Sequence, residues 1–355
     1  MPKCISNAIS IVGPKGCGKT RTAKERCKTI IEFQDEEQRD GLLSIAETAP
    51  ALFLKREKPI LFDEWQDAPK IYEIGSVTKS MTAVCIMKLV EDGKIKLDDT
   101  LGDFFPEYSS CPNYDTVSKV TVRNLLRMRS GISDYINDPL SFWGEETGKL
   151  LAGKGSITEE NYRNFFDKYG EKIVEQAFCS KSCHEQDAKF EYSNTNYTLL
   201  AEIIEKKSGT SYAKFMEETI FKPCGMTETT SMKDGNIQAS IKNDAWYDTV
   251  NSSKGCGDVH STVVDLLKYE RALFGGYLLS EGSMKEIMNF VDGYGFGWQQ
   301  MDKWILHGGT TAGFSTFNGV FDKNGRKIYV IMCTNYNEEN VLQVIVPMSG
   351  ITKTE

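Results

Sequence analysis

The chain has 355 residues, 40% hydrophobic and 26% charged, which is ordinary for globular proteins and excludes collagen, coiled coil and wholesale disorder. A net charge of −8 without a basic stripe argues against nucleic-acid binding. Residues 1–70 carry 12 basic and 11 acidic groups, whereas the rest of the chain carries 30 and 39. This asymmetry and the length predict two domains, over residues 1–70 and 71–355.

The ten cysteines are expected to act mostly as small buried hydrophobes in a reducing compartment. Cys179 and Cys183 lie close to His184, but no second pair of ligands follows at zinc-like spacing, so no metal site is expected. No apolar run reaches the length of a membrane-spanning helix, and the first residues make a poor signal peptide. We therefore expect a cytoplasmic location.

The first predicted elements form a strand–loop–helix pattern: a strand over 8–12, a loop over 13–20 and a helix over 21–31. The loop matches the phosphate-loop motif G-x-x-x-x-G-K-[ST], in which backbone N–H groups and a lysine surround phosphates and the hydroxyl binds Mg²⁺. The candidate nucleotide-binding residues here are Gly13, Gly18, Lys19 and Thr20.

An apolar strand ending in two carboxylates is predicted over 59–64, which is typical of a Walker B element. Asp63 would face the metal and Glu64 would polarise a water. Residues 5–70 resemble AAA-like ATPases of bacterial ATP-binding proteins, which implies that Mg·ATP could bind. The segment is too short for a sensor residue, an arginine finger and a lid, so it predicts phosphate binding without turnover.

A helix rich in apolar residues is predicted from about residue 76 to the stop at 91–93. Ser76 and Lys79 lie three residues apart at its start and therefore on one face. A serine hydroxyl becomes a nucleophile when a neighbouring group takes its proton, and an amine in hydrogen-bond reach can assist. A Ser-His-Asp triad is the competing chemistry, but the chain holds no G-x-S-x-G motif.

Several further motifs follow in order, at residues 93–99, 120–132, 191–197, 221–226, 294–298 and 307–314. With S-x-x-K they resemble the serine β-lactamase and penicillin-binding-protein superfamily, in its class C-like branch with esterases and D-aminopeptidases. The resemblance covers residues 73–335. It implies an α+β fold, in which helices flank an antiparallel sheet.

The resemblance also implies roles for four side chains. Ser76 is the expected nucleophile, and Lys79 would hydrogen-bond its hydroxyl. Tyr192, from Y-x-N, would relay the proton as general base and then general acid. Asn194 would orient the substrate amide and Lys79.

The segment His307-Gly308-Gly309-Thr310 aligns with the strand that carries K-T-G in β-lactamases. His307 would replace the lysine of that motif and help to position Tyr192 or a substrate carboxylate. Gly308 and Gly309 would line the substrate site. The backbone N–H groups of Ser76 and Thr310 would form the oxyanion hole.

The chain departs from the family pattern in its sheet. Only residues 65–75 separate the Walker B carboxylates from Ser76, so the usual first strand pair is expected to be missing, and the long closing helix of the family is also expected to be absent. Three strands are predicted, over about 303–308, 314–321 and 327–334. An open sheet edge favours self-association.

The expected reaction is acyl transfer to water through a Ser76 acyl-enzyme, on an ester, an amide or D-amino-acid peptide, or a β-lactam, with no required cofactor. One alternative is an ATP-binding regulatory protein with an inactive hydrolase-like domain. A second is a non-catalytic penicillin-type acyl binder. The loops over 135–190 carry no readable code for the substrate.

Overall fold

The computed structural model describes residues 29–32, 60–63, 71–152, 165–166, 168–180, 184–231, 253–311 and 314–334. The chain divides into two compact units, Met1–Lys70 and Ile71–Glu355. Each unit is described separately below.

In the first unit, two strands pair in parallel: β1 (Thr29–Glu32) and β2 (Ile60–Asp63). The strand predicted before the two carboxylates is therefore present, and Asp63 is its last residue. The helix predicted over 21–31 is wrong at its end, where residues 29–31 belong to β1. Threonine and two isoleucines stand there in succession, and β-branched side chains favour extended backbone.

The α-helices with described bounds in the second unit are short to medium in length, and they are connected by loops, single turns of 3₁₀-helix and a π-helical turn over Glu217–Phe221. They are α1 (Thr78–Glu91), α2 (Leu101–Phe104), α3 (Tyr114–Val117), α4 (Val122–Leu126), α5 (Pro139–Trp143), α6 (Glu145–Ala152), α7 (Ile173–Cys179), α8 (Asn194–Ser208), α9 (Tyr212–Met216), α10 (Lys222–Cys224), α11 (Val263–Phe274) and α12 (Glu281–Ile287).

Helix α1 forms the centre of the second unit. Its apolar residues are not confined to one stripe, and all of its residues up to Met87 are buried, together with Leu89. A helix that is apolar on every side must be surrounded by protein. It packs against α8, α9 and α12, and it ends at Glu91 as the sequence predicts.

An antiparallel four-stranded sheet lies in the order β6-β7-β8-β9, with β6 (Gln299–Met301), β7 (Trp304–Thr311), β8 (Phe314–Lys323) and β9 (Arg326–Thr334). The three strands predicted for this region are confirmed, and β6 is added to them. Helix α11 packs on β9. Within the described ranges, β9 has β8 as its strand partner, so its other edge carries no described strand.

A second antiparallel sheet lies beside the start of α1, in the order β3-β5-β4: β3 (Tyr72–Glu73), β5 (Val259–Ser261) and β4 (Thr230–Ser231). The chain leaves it through Ile74, whose N–H donates to the Val259 carbonyl at 3.0 Å. His260 is a strand residue opposite Glu73, with its Nε2 3.7 Å from that carboxylate.

The cysteines differ in part from the expectation of buried, reduced thiols. Cys111 and Cys179 form a disulfide, with their Cα atoms 4.9 Å apart. Cys85 and Cys256 are free and buried, as expected for small hydrophobic side chains. Cys179 is therefore already paired, while Cys183 lies outside the described residues.

Across the described part of the chain, no group of three His, Cys, Asp or Glu side chains is arranged to hold a metal ion. The longest helix there, α8, has 15 residues. A membrane span needs about 20 apolar residues. No helix within these ranges is long and apolar enough to cross a membrane.

Candidate active site

A tight turn presents the predicted nucleophile. Gly75–Val77 form one turn of 3₁₀-helix before α1, and Gly75 has a φ of +51°, which favours glycine. A Cβ at Gly75 would lie 2.9 Å from the Thr310 nitrogen. A Cβ at Gly309 would overlap the Ile74 carbonyl oxygen. The backbone of β7 therefore lies directly against the turn that carries Ser76.

The amine of Lys79 lies at the centre of the site. Ser76 and Lys79 are one helical turn apart, and Lys79 Nζ donates to Ser76 Oγ at 2.8 Å. The same nitrogen donates to Asn194 Oδ1 and to the Cys256 carbonyl oxygen, each at 2.8 Å. An ammonium has three N–H donors and all three are used. Because Lys79 is 0% exposed, these protein contacts replace hydration.

Tyr192 lies on the other side of the nucleophile. Its hydroxyl donates to Ser76 Oγ at 2.9 Å, and its ring centre is 5.0 Å from Lys79 Nζ. Tyr192 precedes α8, whose first residue is Asn194. Residues from two helix starts 115 positions apart thus meet in one hydrogen-bonded cluster. The structure brings together Ser76, Lys79, Tyr192 and Asn194.

His307 is buried in β7 and differs from the lysine that it was expected to replace. Its Nδ1 donates to the Gly308 carbonyl at 2.6 Å, and the Tyr294 hydroxyl lies 3.2 Å from its Nε2. Burial and the nearby Lys79 lower the pKa of His307 to about 3. The imidazole is therefore neutral at pH 7, and its Nε2 accepts from Tyr294. Its ring centre is 6.3 Å from that of Tyr192, so its bonds go to Tyr294 and Gly308 instead.

The carboxylate of Asp134 is a part of the site that sequence reasoning missed. Asp134 is 4% exposed and accepts from the Asn194 side-chain Nδ2 at 2.9 Å and from the Asn194 backbone N–H at 3.1 Å. Its signal in the sequence was weak: an acidic residue three positions after Gly131 in a segment with few other charges. Nothing local indicates that it lies beside a residue 60 positions away.

The loop over 253–258 was also missed, because it contributes backbone atoms. The Gly255 carbonyl accepts from the Thr82 hydroxyl at 2.7 Å, and the next carbonyl, of Cys256, accepts from Lys79. Lys254 forms ion pairs with Glu202 and Glu205 on α8. The loop is thus fastened to both helices that carry the site.

The candidate nucleotide-binding residues cannot be placed in the same way. Gly13, Gly18, Lys19, Thr20 and Glu64 lie outside the described residues. Asp63 is described as the last residue of β2, through its backbone only.

Comparison with known proteins gives matches mainly to the second unit. The family model for Beta-lactamase matches residues 66–346, which leaves most of the first unit outside it. The Bacillus subtilis (strain 168) protein PbpX is 26% identical over 287 residues, which is 77% of this chain and 64% of PbpX. The chain therefore spans less than two thirds of that relative's length.

Two solved structures are similar in fold. A D-stereospecific amidohydrolase from Streptomyces sp. is 26% identical, with a TM-score of 0.59, over 78% of this chain and 86% of its own. A penicillin binding protein from Bacillus halodurans is 20% identical, with a TM-score of 0.61, over 80% and 87% of the two chains. At 20% identity, the second likeness concerns the fold alone.

Proposed function

Because this chain belongs to the beta-lactamase family, whose members of this type are serine hydrolases, we propose that it transfers an acyl group from substrate to Ser76 and then to water. One observation carries the proposal: Ser76 Oγ lies 2.8 Å from the Lys79 ammonium and 2.9 Å from the Tyr192 hydroxyl. A hydroxyl held between a cation and a second group that can exchange a proton with it is arranged for nucleophilic attack.

In the first step, Ser76 Oγ forms a bond to the substrate carbonyl carbon, and its proton passes to Tyr192, which accepts it in the phenolate form beside the Lys79 ammonium. The carbonyl oxygen becomes negative and is stabilised by the backbone N–H groups of Ser76 and Thr310. The close approach of β7 to the turn at Gly75 supports this assignment. Tyr192 then protonates the leaving amine or alcohol as its bond to carbon breaks. Water then attacks the acyl carbonyl carbon and gives its proton to Tyr192. The bond to Ser76 Oγ breaks as Tyr192 protonates that oxygen.

The neutral state of His307 bears on the substrate class. With its Nδ1 proton donated to Gly308 and its Nε2 occupied by Tyr294, this imidazole supplies no positive charge for a substrate carboxylate. A site with that property favours amides and esters that lack a carboxylate next to the scissile bond. The likeness to a D-stereospecific amidohydrolase supports D-amino-acid amides as the first substrates to try.

Intact-mass spectrometry tests the acyl-enzyme. A fluorophosphonate should add once to the wild type and fail to add to Ser76→Ala, while Ser80→Ala, whose hydroxyl donates to the Val77 carbonyl, keeps the adduct. An adduct retained in Ser76→Ala would reject the nucleophile. Release of D-phenylalanine from its amide, faster than cephalosporin hydrolysis, would support the substrate class. A penicillin adduct that is never released would identify a non-catalytic acyl binder instead.

For the first unit, we propose a phosphate-binding remnant without ATPase turnover. Support comes from the motif over 13–20 and from the strand that ends at Asp63, paired in parallel with β1. Calorimetry with Mg·ATP should show weak or undetectable binding. Micromolar binding that disappears in Lys19→Ala would favour the nucleotide-regulated alternative.

A further inference from the structure

The carboxylate of Asp134 is buried and fully hydrogen-bonded. Its Oδ1 accepts from the backbone N–H groups of Ile136 at 2.8 Å and Asn137 at 3.1 Å. Its Oδ2 accepts from the Asn137 side chain at 2.8 Å and twice from Asn194. Five donors converge on this one group, and a carboxylate with that many donors is held in a single orientation.

These contacts determine how the Asn194 amide is turned. An ionised carboxylate only accepts hydrogen bonds, so the amide must present its Nδ2 to Asp134. Its Oδ1 then faces the opposite way, where it accepts from Lys79 Nζ at 2.8 Å. Asp134 also accepts from the first N–H of α8, one of the backbone donors that a helix start leaves free. Both the backbone and the side chain of Asn194 are therefore held.

Through these contacts, the Asn194 side chain alone separates the negative charge of Asp134 from the buried positive charge of Lys79. A buried ammonium needs compensation by hydrogen bonds and opposite charge. Among the described residues, the titratable side chains near Lys79 include those of Tyr192, Tyr197, Cys256 and His307, and the carboxyl group of Asp258 lies near Cys256.

Among them, His307 is neutral at pH 7, as shown above. The carboxyl group of Asp258 accepts hydrogen bonds from the Ser231 hydroxyl and the Gly255 N–H, and burial raises the pKa of Asp258. Asp134 is the carboxylate that reaches Lys79 through a single amide.

We propose that Asp134 is a positioning residue for the reaction at Ser76: through Asn194 it orients the hydrogen-bond acceptor of Lys79 and supplies the buried charge that balances the ammonium. This inference rests on the proposed acyl-enzyme function. Asparagine at position 134 keeps the shape of the side chain but removes the charge. It also removes the requirement that Asn194 present its Nδ2.

The first measurement follows the rate of Ser76 labelling by a fluorophosphonate against pH, in the full chain. Asp134→Asn should react roughly tenfold to a hundredfold more slowly at pH 7, the usual cost of misplacing a reacting group. The pH at half-maximal rate should also move lower, because loss of a nearby negative charge favours proton release from the groups around Ser76. Asp265→Asn is the matched control. Asp265, at the start of α11, is 1% exposed, and its carboxylate accepts from the Glu228 backbone N–H and from the Thr229 hydroxyl.

The second measurement needs no activity and compares melting temperatures in a double-mutant cycle with Lys79→Met. The loss of melting temperature caused by Asp134→Asn should shrink to less than half when Lys79 is already replaced. Asp265→Asn should cost the same on both backgrounds. Labelling within twofold of wild type at every pH, together with equal losses on both backgrounds, would overturn the proposal. A wild type that is never labelled would reject the acyl-enzyme, and the melting temperatures would still decide whether Asp134 is coupled to Lys79.

Discussion

Replacing Glu270 with glutamine is expected to stabilise the protein at neutral pH. Glu270 lies on α11 and is 0% exposed, and its Oε1 accepts from the Asn318 side-chain nitrogen at 2.6 Å. Among the described residues, its other oxygen, Oε2, and the Asn318 Oδ1 have no hydrogen-bond partner. Burial raises the pKa of Glu270 from 4.5 to about 8, because water no longer stabilises the carboxylate.

The sign of the effect follows from which state holds the proton. Between pH 4.5 and about 8, the unfolded chain has released the Glu270 proton while the folded protein keeps it. The free energy of unfolding therefore falls by about 1.4 kcal/mol for each pH unit in this window. At pH 7 the loss is about 3 kcal/mol relative to pH 4.5 and below. Glutamine does not titrate, and its Nε2 can donate to the Asn318 oxygen.

Urea unfolding followed by tryptophan fluorescence at pH 5 and pH 7 measures this difference. The advantage of Glu270→Gln over wild type should grow by about 2.5 kcal/mol between the two pH values. The exposed carboxylate of Glu281 offers a control, since Glu281→Gln should change stability equally at both. An identical pH dependence in wild type and Glu270→Gln would show that Glu270 is ionised in the folded protein and would refute the reasoning.

Three further outcomes are expected. Tyr192→Phe should lower kcat by roughly 10²–10⁴ in steady-state amide hydrolysis, the usual share of general acid–base catalysis, and unchanged turnover would make the residue structural. Gly309→Ala should lower both the melting temperature and the rate of Ser76 labelling, because the new Cβ would overlap the Ile74 carbonyl oxygen. Gly308→Ala should leave the melting temperature unchanged, because the nearest atom to its new Cβ is 3.8 Å away. Cys111→Ser should lower the free energy of unfolding by about 4 kcal/mol, because it removes a disulfide that joins residues 68 positions apart. Denaturation with and without reductant checks this last outcome, because only the wild type should respond.

Local patterns predicted the elements that carry the site. The apolar run after Ser76 predicted α1, and strands were predicted over about 303–308, 314–321 and 327–334, where β7, β8 and β9 lie. The three-residue spacing from Ser76 selected Lys79, and the family resemblance selected Tyr192; the structure places both within hydrogen-bond reach of Ser76. Such features are readable because helix periodicity and turn chemistry depend on neighbours within a few residues.

Local patterns were misleading where two structures compete for one segment. Residues 21–31 follow a phosphate-loop motif, which favours a helix, but the last three of them form a strand that pairs with residues 60–62. The pairing partner is about thirty residues away, and no local count of propensities includes it. The disulfide between Cys111 and Cys179 has the same origin, since spacing does not identify which cysteines approach each other.

The sequence by itself determined which reactive groups this protein has: a serine, a lysine, a tyrosine and an asparagine in motif order, and a histidine where the related motif has a lysine. The tertiary structure alone decided their states. It made His307 neutral by burying it beside Lys79, and it fixed the tautomer through the hydrogen bond from Nδ1 to the Gly308 carbonyl. It also placed Asp134 behind Asn194, 60 residues along the chain. Protonation and side-chain orientation depend on solvent exclusion and on charges brought together by folding, and neither is written in the order of the residues.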